Sequence, residues 1–76
     1  MERLSTIVFN PDTTHNAEQL MKTLRPLLHV TRDDRLEMTV TERPHPDGGD
    51  EVTIYVIIHT GNIAGMIEDL RDIGMY

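Results

Sequence analysis

Four histidines form the only concentration of side chains in this sequence that could hold a metal ion. Imidazole and carboxylate groups are suitable ligands for zinc, nickel or copper. If the first strand ends beside the loop joining the second and third strands, Asp12 and His15 come close to His45. Asp47 and Asp50 lie on the same loop. At the other end of the predicted sheet a second group gathers, namely His29, Asp33 and His59.

None of these histidines has the i, i+4 or His-x-His spacing of a dedicated metal site. Solvated loop histidines explain the pattern more simply, and we favour that interpretation. The metal hypothesis therefore concerns Asp12, His15 and His45 as its candidate ligands, and no cofactor is expected. His45, Asp47 and Asp50 also form a candidate binding loop in their own right.

The sequence offers no set of residues suited to catalysis. Ser5 is the only serine and falls within a predicted strand, so it has no nucleophile context. The loop with His45 and Asp47 is poor scaffolding for acid–base chemistry. The segment 60–62 could bind an anion at a helix start, but a turn capped by Asn62 is the better interpretation. We expect a protein that is not an enzyme.

Composition narrows the classes of partner. The chain has 76 residues, a net charge of −6, a single lysine and no cysteine. Its arginines are scattered among acids, whereas nucleic-acid binding needs clustered positive charge, so no direct nucleic-acid contact is expected. The apolar run 56–58 is far too short to span a bilayer, and the first residues are not a signal peptide. We expect a cytoplasmic protein without membrane contact.

Five elements follow from the hydrophobic pattern. Residues 4–9 predict a strand, and Thr14 or Asn16 is expected to cap a helix. Because of Pro26, that helix should end near Arg25 or continue past a kink. Residues 36–41 alternate as a strand with one wet face, residues 44–50 form a loop, and residues 52–58 predict a central strand. A last helix begins after Asn62 and stops at Gly74. The side chains of Met21, Met38 and Met66 are expected in the core.

This order predicts one α+β domain over residues 1–76, ferredoxin-like β-α-β-β-α lacking the last strand, with an antiparallel sheet and two helices on one face. The first strand then lies at an edge of the sheet. It carries no proline or charge to protect that edge, which favours pairing with another chain. The predicted partner or oligomer edge consists of Leu4, Thr6, Ile7, Val8 and Phe9.

The element order and two segments resemble known regulatory domains. Residues 60–74, with a turn glycine, an apolar helix and a terminal Ile-Gly, resemble the small ligand-sensing ACT-type domains. Residues 38–42, followed by a long loop, look like the corresponding strand of PII-like signalling proteins. Both families share the ferredoxin-like fold, and the resemblance implies a module that forms dimers or trimers and binds small effectors between subunits.

We therefore expect a non-enzymatic, oligomeric regulatory module that binds a small effector or a protein partner. The alternative is an acidic inhibitor, of the kind that phages or antitoxin systems use, which covers a basic, nucleic-acid-binding surface on a target protein. Strong salt dependence of binding would favour the inhibitor, because its attraction would be largely between charges.

Overall fold

The computed structural model describes residues 4–28 and 33–76. It contains β1 (Ser5–Phe9), α1 (Thr14–Leu24), a short 3₁₀ helix (Arg25–Leu27), β2 (Arg35–Pro44), β3 (Asp50–Thr60) and α2 (Ile63–Asp72). The strands form one antiparallel sheet in the order β1-β3-β2. This is the predicted α+β ferredoxin-like β-α-β-β-α arrangement, with β3 central, β1 at one edge and no strand formed after α2 by the described residues.

A single apolar cluster joins both helices to one face of the sheet. Along β3, the alternate residues Ile54, Val56, Ile58 and Thr60 are buried, whereas the residues between them are half-buried. Since side chains alternate across a strand, both helices pack on the face that holds the buried set. We call this the helix-side face and the other the open face. The helices contribute Ala17, Leu24, Met66 and Leu70 to the core.

Local signals explain where the helices begin and end. The N-cap of α1 is Thr13, whose Oγ1 accepts a hydrogen bond from the Asn16 N–H at 3.0 Å, so the prediction of Thr14 or Asn16 was wrong by one or more residues. Positions 13–16 contain three residues that could serve as the N-cap, namely Thr13, Thr14 and Asn16, and the sequence alone does not rank them. Pro26 lies in the 3₁₀ helix that follows α1, so of the two predicted alternatives the structure has the helix end near Arg25.

The last helix is capped at both ends by hydrogen bonds to residues of the same chain. The Asn62 side chain accepts a hydrogen bond from the Gly65 N–H at 3.0 Å. At the other end Gly74 has φ +76, and the N–H groups of Gly74 and Met75 donate to the carbonyls of Arg71 and Leu70. These two bonds form a Schellman motif, which confirms Gly74 as the stop.

The hairpin of β2 and β3 projects well beyond the rest of the sheet. β1 has five residues and ends with Phe9 opposite Val56, whereas β2 and β3 continue to the pair Pro44 and Asp50. Six residues of β3 therefore extend past β1, a distance of about 20 Å at the usual rise per residue. We call residues 39–55, which are the paired ends of β2 and β3 and their turn, the arm.

The helices are too short to cover the arm. β3 has 11 residues and is about 36 Å long, but α1, also of 11 residues, is about 16 Å long. The helix-side face is therefore covered at one end of β3 and bare at the other. The overall extents of 43 × 29 × 16 Å reflect this projection.

Candidate interaction surfaces

The outer edge of β1 is open along its whole length in the described part of the chain. β1 pairs only with β3, so the backbone groups on its other side are available to a further strand. Thr6 and Val8 point to the open face, and Val8 is 56% exposed. Ile7 and Phe9 point to the helix-side face and are half-buried against the core, while Leu4 before the strand is exposed. The edge is thus apolar, and the pairing of β1 with β3 fixes its register in the sheet.

The open face of the sheet bears no helix from the described residues. Its central strand presents Tyr55, Ile57 and His59, all half-buried. The His59 Nε2 and Glu37 Oε2 atoms are 2.9 Å apart, which joins β3 to β2 across this face. Glu37 is exposed, and only 14% of the His59 side chain is accessible. The pair is a cross-strand contact that fixes the two side chains on the sheet surface.

The helix-side face of the arm carries an uncovered apolar surface. We call it the arm strip: Met38 at the base of the arm, then Val40 and Val52. Their exposed fractions are 40%, 49% and 54%. The prediction that Met38 fills the core was wrong, because its face is the correct one but α1 and α2 do not extend over it.

The opposite side of the arm forms a shallow depression. Its volume is ≈ 350 Å³. Arg43 and Glu51 form an ion pair across it, with 2.9 Å between Nε and Oε2, and both side chains are exposed. Pockets for small molecules usually enclose most of the ligand and are largely apolar. This depression is open and mainly polar, lined by Thr41, Glu42, Arg43, Glu51, Thr53 and Tyr55.

The turn at the tip of the arm is built by local hydrogen bonds. The Gly48 N–H donates to the His45 carbonyl and the His45 N–H donates to the Gly49 carbonyl, both at 3.0 Å. Gly48 and Gly49 have φ +95 and +78, conformations that glycine adopts without strain. The Asp47 N–H donates to the His45 Nδ1 atom at 3.2 Å. Of the predicted loop site, His45 and Asp47 are exposed on this turn, and Asp50 is exposed at the start of β3.

The structure does not bring the predicted metal ligands together. Asp12 and His15 follow β1, which ends opposite Val56, whereas His45 lies at the tip of the arm about 20 Å further along the sheet. Across residues 4–28 and 33–76, no group of three or more histidines and acids could hold a metal ion. His29 of the second predicted group lies outside the described residues.

The predicted anion position at the start of α2 is occupied by the protein's own groups. The Asp34 Oδ1 atom accepts a hydrogen bond from the Gly61 N–H at 3.4 Å, and Thr60 Oγ1 accepts one from the Asn62 N–H at 3.0 Å. Asn62 itself caps the Gly65 N–H. A carboxylate already beside these donors disfavours a second anion there, which supports the structural interpretation of residues 60–62.

Sequence reasoning identified the β1 edge and the turn but missed the arm strip. No signal for it was present in the sequence, because the predicted strand segments 4–9, 36–41 and 52–58 are nearly equal in length, whereas the strands of the structure have 5, 10 and 11 residues. A short strand can pair with only part of a long one.

No helix of the described residues is long and apolar enough to cross a membrane. The chain matches no family model, and comparison with curated proteins and with solved structures also yields no match.

Proposed function

We propose that this chain is a non-enzymatic binding module that self-associates through β1 and recognises a protein partner in a regulatory role. The observation that carries the proposal is the bare outer edge of β1, with Val8 exposed and no charge or proline in Ser5–Phe9. Proteins commonly shield such edges with lysine, proline, bulges or a covering segment. None of these devices is present on the described strand, so the edge suits pairing with another chain.

Self-association also addresses the small size of the core. A domain of about 60 residues buries only about 60% of the surface of its unfolded chain, and cores of this size supply only a few kcal/mol, roughly 3–5. The sequence has no cysteine for a disulfide. Two copies of β1 paired antiparallel about Ile7 would give a continuous six-stranded sheet.

The surface features favour a protein partner over a small effector. The depression on the arm is open and polar, so a small molecule there would keep much of its surface in water. Five of the seven exposed large apolar residues among those described lie at the β1 edge and on the arm strip instead; the other two, Ile73 and Tyr76, follow α2. A small effector bound between subunits, as the resemblance to ACT-type and PII-like domains implies, is the other form of the proposal.

The mass of the protein in solution tests self-association. Light scattering behind a sizing column should give at least twice the chain mass of 8.7 kDa. Val8→Lys should give the monomer mass, because Val8 is exposed and a lysine on the edge opposes pairing with a second copy. Val40→Lys, at an exposed position away from the edge, serves as the matched control. A wild-type monomer at high concentration contradicts the proposal.

One observation favours the acidic inhibitor as a second candidate. The arm presents four exposed carboxylates, Glu42, Asp47, Asp50 and Glu51, and the Arg43 guanidinium pairs with only one of them. A projecting acidic hairpin can reach into a basic surface of a target. This function predicts binding to a basic target protein that weakens steeply with added salt, whereas binding that ignores salt argues against it.

A further inference from the structure

We propose that the arm strip is the docking site for a basic amphipathic helix of a partner protein. This inference rests on the proposed partner-binding function and specifies its surface. The site consists of Met38, Val40 and Val52 on the helix-side face, with the carboxylates of Glu42 and Asp50 beside them toward the tip.

The shape of the surface suits a helix. The arm strip continues the same face on which α1 and α2 pack, so a third helix would extend an existing layer. Val40 lies opposite Ile54, and Val52 lies opposite Glu42, so the exposed apolar side chains follow one another along two adjacent strands. Neighbouring side chains on one strand face are about 7 Å apart. An apolar helix stripe with residues at i, i+3, i+4 and i+7 has a comparable repeat of about 5–6 Å.

The charge of the surface selects a cationic partner. Glu42 and Asp50 share the helix-side face with the arm strip, and Asp47 lies on the turn that follows. The chain as a whole has a net charge of −6. Lysines or arginines flanking an apolar helix stripe would therefore meet carboxylates at the tip. Anionic lipid surfaces and nucleic acids would be repelled by the same groups.

Charge also argues against a second copy of this chain as the occupant. If α2 of a second copy were the occupant, its exposed Glu68 and Asp72 would be brought toward the carboxylates of the arm, against one exposed cation of that helix, Arg71. Like charges brought together at an interface oppose association. The β1 edge has no charged residue and remains the surface suited to self-association.

A set of three synthetic peptides tests the inference with the intact chain. The first, of about 18 residues, carries leucines at helical i, i+3 and i+4 spacing with lysines on both flanks. The second replaces the lysines with glutamates, and the third keeps the lysines but distributes the leucines around the helix. Binding is measured by fluorescence anisotropy at two salt concentrations, and amide chemical shifts map the contact.

Only the first peptide should bind well, and its affinity should fall with added salt. The triple variant M38Q/V40T/V52T should weaken binding roughly tenfold or more. All three positions are exposed, and threonine keeps the β-branched shape of valine. Ile73→Thr, which replaces an exposed β-branched apolar residue outside both β1 and the arm strip, should leave binding unchanged. E42Q/D50N should reduce the salt dependence.

Three results would overturn the inference. They are no binding of the first peptide up to about 1 mM, shift changes confined to the open face, and a triple variant that loses oligomer mass instead of peptide affinity. The last result would assign the arm strip to contacts between copies. The effect of Val8→Lys on mass decides self-association separately, so failure of either idea is distinguishable from failure of the other.

Discussion

Gly65 occupies the one position in α2 where the cap leaves no room for a side chain. A Cβ atom there would lie 2.7 Å from the Asn62 Nδ2 atom and 3.1 Å from its Cγ atom. The same Asn62 side chain accepts the Gly65 N–H bond that caps the helix. Glycine at position 65 lowers helix propensity but leaves room for the Asn62 cap. The effects of substituting Gly65 and Asn62 on stability should therefore be energetically coupled.

A double-mutant cycle measures that coupling. Gly65→Ala alone should change the free energy of unfolding little, because a propensity gain of about 1 kcal/mol is offset by a lost cap worth about 1 kcal/mol. In an Asn62→Gly background, where no side chain obstructs the new Cβ, the same substitution should stabilise the protein by about 1 kcal/mol. Urea unfolding of the four proteins gives the values. Equal effects in the two backgrounds would rule out the coupling.

Gly74 is needed for a different reason, which is its backbone angle. Its φ of +76 lies in the left-handed region, and no heavy atom beyond Gly74 and its two chain neighbours lies within 4 Å of a Cβ added there. Gly74→Ala should therefore destabilise the protein by about 1 kcal/mol through backbone strain alone. Gly74→Asn should cost less, since asparagine tolerates this conformation. Thermal or urea unfolding of both variants provides the comparison, and a larger loss for asparagine would contradict the argument.

At the scale of elements, the unequal strand lengths decide what is exposed. β1 and the two helices cover only one end of the long hairpin, so Met38, Val40 and Val52 remain accessible although they lie on the correct face for the core. A two-stranded ribbon without a covering layer is marginally stable by itself. The arm therefore depends on β3 being anchored in the core through Val56 and Ile58.

Shortening the arm should leave the domain folded. A variant in which an Asn-Gly turn replaces residues 41–53 retains the core residue Ile54 and its pairing with Val40. We expect a cooperative thermal transition by circular dichroism and native-like shifts for α1 and α2, together with loss of peptide binding. As a control for loop engineering, the same turn replacing only residues 45–49 should keep both fold and binding. Unfolding of the shortened chain would show that the arm is part of the folding unit.

The sequence predicted the parts of the fold that depend on local patterns. Alternation along residues 52–58 identified the buried side of β3, and Asn62, Pro26 and Gly74 marked helix boundaries correctly. Local patterns do not state how far one element covers another. Met38 was therefore assigned to the core, and Asp12 and His15 were expected near His45, because the register of β1 against β3 is a property of the packed sheet. The β1 edge was found because strand order follows from element order.

At the scale of the whole molecule, the domain is thin and elongated, with one layer of helices on one sheet. Its smallest extent is 16 Å, and the core contains seven buried apolar residues among those described. If β1 pairs with a second copy, folding and association are linked by mass action.

The melting temperature should then rise with protein concentration. The wild type should show this dependence because the dimer, and not the unfolded chain, holds the paired edge. Val8→Lys should melt at a lower temperature that does not change with concentration, and V40K should behave like the wild type. Differential scanning calorimetry over a wide concentration range makes the comparison. A melting temperature independent of concentration in all three proteins argues for a monomer.

The direction in which the arm projects has a consequence for such a dimer. The arm extends past the end of β1 at Phe9. When two β1 strands pair antiparallel about Ile7, their Phe9 ends lie at opposite sides of the joined sheet. The two arms then point away from each other, with their tips at the far ends of the assembly. Such a dimer cannot clamp a single helix between its arms; it would cross-link two target molecules and hold them apart at a fixed spacing.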